Sequence, residues 1–176
     1  MRMVRIVLAL LVLLITLTWL VGLAVPRRHV TVRSARLSRS VQEVWSVLSD
    51  LPGFARWAPE VSAVSRLPDQ NGHPVYALEG KWPMPLEVET LDPPRRMVTR
   101  VVDSGLPFGG TWTWEIQPEG SGSRVTLTER GEIKVAPMRT LARFVFGYHS
   151  TLDAYLEALG HRLGQDVKAG PAPAGA

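Results

Sequence analysis

Four histidines, two of them spaced four residues from a carboxylate, are the first residues in the chain to examine for acid–base or metal chemistry. His149 with Asp153 and Glu157 with His161 have the i,i+4 spacing that ordinary ion pairing on an exposed helix face produces. No HExxH, CxxC or EF-hand spacing accompanies them, so the sequence points to no metal site, and it carries no cofactor signature. His29 follows a long apolar run and abuts the membrane that run implies, while His73 falls in a turn. Ser150 cannot act as a nucleophile with His149, because adjacent helix residues point in different directions. "GLPFGG" (105–110) lacks the Lys-Ser/Thr of a phosphate loop and precedes a strand, so it reads as a turn.

The remaining candidates lie on an apolar strand face. By alternation Trp112, Trp114 and Ile116 share one side of their strand, and Val125, Leu127 and Glu129 share one side of the next. Pairing across the turn at 118–122 sets Trp114 near Leu127 and Trp112 near Glu129. One carboxylate thus interrupts an apolar surface. Glu129 is either a sheet-margin acid meeting water or an arginine, or a buried acid that orients a ligand. For proton-transfer chemistry it is the first candidate general acid/base, with Tyr76 and Tyr148 as hydroxyl-bearing alternatives.

The elements that must hold these residues follow from periodicity and turn signals. "HVTVRSARL" (29–37) is β-branched and predicts a first strand. Ser40 and Glu43 form a capping box, and Val41, Val44, Trp45, Val47 and Leu48 fall on one stripe of the helix it opens. Pro52 and Gly53 stop that helix, and "FARWAPEV" allows at most one more short turn. Six short strands follow (61–67, 74–80, 85–91, 96–103, 111–117 and 123–133), separated by turn-rich pieces, the pattern of an antiparallel meander. A long helix then starts near Pro137 with one stripe from Leu141 through Phe144, Tyr148 and Tyr155 to Leu163. The tail, residues 166–176, is Pro/Gly/Ala-rich and reads as disordered. The fold class is α+β, a curved antiparallel sheet with the long helix across its concave face.

Ahead of this body, after a short basic segment at 1–5, residues 6–25 contain no charge. At 1.5 Å per residue they reach about 30 Å, the thickness of a bilayer's hydrocarbon core. A retained transmembrane helix is favoured over a cleavable signal peptide, whose apolar region is shorter. Seven of the 20 basic residues precede the first acid, Glu43, leaving 13 against 16 acids, a net charge of −3 for the rest. A basic patch beside the span suits anionic headgroups and argues against nucleic acid as a partner. Five of those arginines follow the span and two precede it, which by the positive-inside rule sets the body on the cytoplasmic side.

"SVQEVWSVLSDLPGFARWAPEV", "GGTWTWEIQPEGSGSRVTLTERGEI" and "RFVFGYHSTLDAYLEALG" together resemble the START-like helix-grip (SRPBCC) superfamily, nearest its polyketide cyclase/dehydrase and lipid transport group. The resemblance covers residues 29–165 and implies a cavity between sheet and C-terminal helix. Its walls would be Tyr76, Leu78, Leu86, Val88, Trp112, Trp114 and Leu127 on the sheet, Phe144 and Tyr148 on the helix, and Phe54 and Trp57 at the rim. The primary expectation is a membrane-anchored module that binds a hydrophobic small molecule or lipid. A cyclase- or dehydratase-like enzyme using Glu129 or a tyrosine, and a structural protein that binds a membrane partner, are the alternatives.

Overall fold

The computed structural model describes residues 1–103 and 105–173. It opens with helix α1 (Arg2–Ala24), which takes the basic N-terminal residues into its first turns. Then come β1 (Arg28–Leu37), α2 (Val41–Leu48), a 3-10 turn (Leu51–Arg56), and β2 (Val61–Gln70) to β7 (Gly122–Ile133) by way of β3 (His73–Gly80), β4 (Met84–Asp92), β5 (Arg96–Val101) and β6 (Phe108–Glu119). The chain closes with α3 (Ala136–Leu141), a π-helical turn (Ala142–Phe146), α4 (Ser150–Arg162) and a two-residue strand β8 (Gly170–Pro171).

The strands form one antiparallel sheet in the order β2-β3-β4-β5-β6-β7-β1-β8. A meander is the short-connection solution for strands joined by tight turns; only β1, first in sequence, returns to the far side to pair with β7. The register across the β6–β7 turn sets Trp112 opposite Glu129 and Trp114 opposite Leu127, as alternation requires. Against this face pack Val44 and Leu48 of α2, Phe54, and Leu152, Tyr155, Leu156 and Leu159 of α4, all buried with Trp114, Ile116, Val125 and Leu127.

Local chemistry fixes the helix entries. The Ser40 hydroxyl accepts from the Glu43 N–H at 3.3 Å, and the Glu43 carboxylate accepts from the Ser40 N–H at 2.8 Å. Asp50 caps the 3-10 turn by accepting from the Gly53 N–H at 3.1 Å.

The expected single long helix is two helices. After α3 the backbone widens into the π-helical turn, and Gly147, at φ 74°, turns the chain before α4. The stripe therefore does not run through: Phe144 and Val145 point outward, 65% and 64% exposed. Nor do the expected i,i+4 pairs form on α4. Asp153 binds Arg33 of β1 through two bonds of 2.5 and 3.1 Å, while Glu157 faces Lys168 at 3.6 Å and His161 faces Asp166 at 4.0 Å.

The segment after α4 is ordered where disorder was expected. Val167 and Ala169 pack against the core, the Gln165 side chain accepts from the Ser38 N–H at 2.7 Å, and Gly170–Pro171 pairs with the free edge of β1. An uncovered edge strand invites association, and this segment covers part of it. Residues 174–176 of the predicted tail lie outside the described residues.

Candidate functional site

Between the sheet and α4 lies a cavity of about 480 Å³. Its floor is built by alternation: Trp112 and Trp114 from β6, Leu86 and Met84 from β4, and Leu78 from β3 all turn to the same side. Tyr155 of α4 descends onto that floor, its ring 4.8 Å from Trp112 at 87° and 6.5 Å from Trp114. Burial, and then the negative charge of Glu60, push the Tyr155 phenol up to about 12, so it stays a neutral donor at any physiological pH. The rim between β2 and β4 is clasped by Lys81, 2.6 Å from Glu60, with Trp82 edge-on to Phe108 at 6.1 Å. A smaller recess of about 290 Å³ continues the cavity past Trp82 and Ala154.

At the other end of the cavity stands a polar cluster. β1 pairs with β7 so that His29 lies opposite Gly131, two residues from Glu129. Its imidazole Nε2 is 3.6 Å from the Glu129 carboxylate, and its ring stacks on Tyr148 with centroids 4.1 Å apart. Gly131 makes room for this: a Cβ there would sit 2.4 Å from the imidazole. Of the two expectations for Glu129, a margin acid meeting water or an arginine and a buried acid, the structure shows an acid one-fifth exposed with a histidine as its neighbour. Both side chains are mostly buried, at 12% exposure for His29 and 20% for Glu129. The polar side chains of the lining are these three together with Glu60, Lys81, Thr99, Glu132, Ser150, Thr151 and Tyr155, set among aromatic and aliphatic ones.

Of the residues singled out from the sequence, Phe54, Leu78, Leu86, Trp112, Trp114, Glu129 and Tyr148 line the cavity. Five do not. Phe144 faces outward from the π-helical turn, and Phe146 takes its place in the wall. Leu127 and Val88 are spent on the core. Trp57 packs edge-on to Phe54 at 4.8 Å, behind the wall, and Tyr76 lies under the Arg66 guanidinium at 5.1 Å. The second half of "SVQEVWSVLSDLPGFARWAPEV" is thus divided: Phe54 is wall, and Trp57, partly buried, packs against the core.

His29, weighed from the sequence and set aside as a residue beside the membrane, and Tyr155, read only as part of a helix stripe, both line the cavity. A signal for His29 existed, because alternation along β1 sets it on the same side as Ala35 and Leu37, which are buried. Met84, Phe108 and Met138 also line the cavity, and nothing in their local sequence sets them apart from core residues.

An antiparallel sheet gripping a C-terminal helix over an apolar chamber defines a START-like α+β protein. Residues 28–163 match the model of the polyketide cyclase/dehydrase and lipid transport family, and the chain belongs to that family. Among solved structures it is similar to a START superfamily protein from Mycobacterium smegmatis, with 20% identity, a TM-score of 0.63, and coverage of 77% of this chain and 97% of that one. It is also similar to the Zhui aromatase/cyclase from Streptomyces sp. R1128, with 17% identity, a TM-score of 0.62, and coverage of 75% and 91%. A third is the di-domain ARO/CYC StfQ from the steffimycin biosynthetic pathway, at 13% identity and a TM-score of 0.59, covering 78% of this chain and 52% of that one. At such identities the likeness is one of fold. No curated protein is similar enough in sequence to count as a relative.

Proposed function

We propose that the chain is a membrane-anchored binding module for a hydrophobic small molecule or lipid, held between the sheet and α4, with its body on the cytoplasmic side. The observation that carries this is the chamber itself. Its volume of about 480 Å³ falls in the range of small-molecule sites, and its walls are mainly aromatic and aliphatic, with the His29 cluster at one end and the Glu60–Lys81 pair on the rim. Apolar burial, worth about 25 cal/mol per Å², would drive binding. The cluster of His29, Glu129 and Tyr148 would hold the ligand's polar end. An interior filled by its own side chains would have favoured a purely structural role, and this interior is open.

α1 supports the anchor. It is long and apolar enough to cross a bilayer, and almost all of its surface is left uncovered by the body, unlike a core helix. Its last turns also pack on α3, where the Thr140 hydroxyl donates to the Thr18 carbonyl at 2.8 Å, a contact that gives a retained helix a structural role.

The test is photo-crosslinking of a diazirine-bearing fatty acid to the full chain in nanodiscs, with the modified peptides mapped. Labels on β6 and α4 that fade in Trp112→Ala are expected. Labels confined to α1 would refute a ligand in the chamber.

A second reading rests on the pairing of Glu129 with His29. Side by side in an apolar chamber, they could take a proton from one carbon or oxygen of a polyketide-like substrate and return it to another, as a cyclase or dehydratase requires. Turnover of a poly-β-ketone thioester that is lost in Glu129→Gln, with crosslinking retained, would favour this reading. Equal turnover in the variant would remove it.

A further inference from the structure

Leu141, Phe144, Val145 and Phe146 expose between 40% and 65% of their surface, side by side on the stretch that joins α3 to α4. The depth of this stretch is set by α1. Gly22 packs against α3 so closely that a Cβ there would sit 1.9 Å from the Ala136 carbonyl, and Thr140 is bonded to Thr18. Thr18 lies six residues before the end of α1, which at 1.5 Å per residue is about 9 Å along the helix axis. If α1 spans the bilayer to its C-terminal end, its contact with α3 falls below the headgroups, at the depth where amphipathic segments bury their apolar faces. Trp19, 48% exposed at the same level of α1, has the residue type that marks this interface. Arg143 is exposed within the stretch, and Arg27 and Arg28 are exposed just past α1, a placement that suits anionic headgroups.

We propose that Leu141–Phe146 is a second membrane contact, seated in the acyl–headgroup boundary of the leaflet in which α1 ends. Its occupant is the lipid bilayer itself. The same stretch lends Met138, Ala142 and Phe146 to the chamber wall, so one side of it contacts the ligand site and the other contacts lipid. A molecule leaving the chamber past Phe146 enters the membrane without crossing water. This inference rests on α1 being an anchor and is independent of what the chamber holds.

The chain has no cysteine, so single cysteines can be labelled without background. Leu11→Cys, Phe144→Cys, Val145→Cys and Ser121→Cys in the full chain, each carrying an NBD fluorophore, would be placed in nanodiscs of phosphatidylcholine and phosphatidylglycerol. Doxyl-labelled lipid serves as the quencher. Ser121 sits in the β6–β7 turn, at the opposite end of the 12-residue strand β7 from α3, and is the water-exposed reference. Severalfold stronger quenching at 144 and 145 than at 121, together with quenching at 11, is the expected result. Quenching at 11 with 144 and 145 no different from 121 overturns the proposal and leaves the anchor standing. No quenching at 11 overturns both. Because every substituted side chain is exposed, folding is not at stake in any of the four variants.

Discussion

Two neighbouring tryptophans on β6 separate the chamber from the core, and replacing each by alanine should have opposite dominant effects. Trp114 is 1% exposed and packed among Met97, Ile116 and Leu127, so Trp114→Ala removes core packing and should cost about 3–5 kcal/mol of stability. Trp112 is only partly buried. It holds edge contacts with Tyr155 at 4.8 Å and Trp114 at 6.3 Å, each worth about 0.5–1.5 kcal/mol, so Trp112→Ala should cost about 1–3 kcal/mol. Its open face lines the cavity, where the proposed ligand would lie. If a bound molecule covers half of the indole, about 100 Å² at about 25 cal/mol per Å² gives roughly 2.5 kcal/mol, or somewhat under a hundredfold in affinity. The assay pairs thermal unfolding with displacement of a fluorescent fatty acid from the full chain in nanodiscs. The reasoning fails if Trp112→Ala matches Trp114→Ala in lost stability while ligand affinity is unchanged.

Other consequences follow from the same geometry. Gly131→Ala drives a methyl into the His29 imidazole and should cost about 1–3 kcal/mol while separating His29 from Tyr148. The ring-current shift of the His29 resonances reports the separation, and an unmoved resonance would contradict the contact. Asp153→Ala leaves the Arg33 guanidinium, among the described residues, with the Ala169 carbonyl at 3.4 Å; it should cost about 1.5–3 kcal/mol and loosen residues 165–171, read as lost amide protection there. The Tyr155 phenol, raised from 10.0 to about 12, is neutral in the native state where the unfolded chain has already lost the proton. Its stabilisation is full below about pH 10 and declines by about 2–3 kcal/mol as the pH rises to about 12. Tyr155→Phe should lack that decline; an identical alkaline melting profile in both proteins would refute it.

What the sequence disclosed was what short-range rules govern. The β6–β7 register follows from alternation and one tight turn, which is why the sequence alone sets Trp112 opposite Glu129. The capping box of α2 is complete within four residues and was equally legible. His29 was legible only as far as its side of β1, because it reaches the site when β1 pairs with a strand a hundred residues later, and no local pattern specifies that pairing. Phe144 was misplaced for a different reason. A 3.6-residue period assumes an unbroken helix, and the π-helical turn with Gly147 rotates the stripe away from the chamber. Asp153 shows the same limit: its spacing from His149 satisfied a helix rule, yet Arg33 on another element holds it more tightly.

The central claim is that the chamber holds an apolar ligand. Native mass spectrometry of the full chain released from nanodiscs, followed by extraction of whatever remains bound, tests it most directly. A reproducible apolar adduct of one chemical class, diminished in Trp112→Ala and retained when α1 carries Leu11→Cys, is the predicted result. A chain that emerges without adduct, and that takes up none of a panel of fatty acids, phospholipids and aromatic probes, would contradict the account.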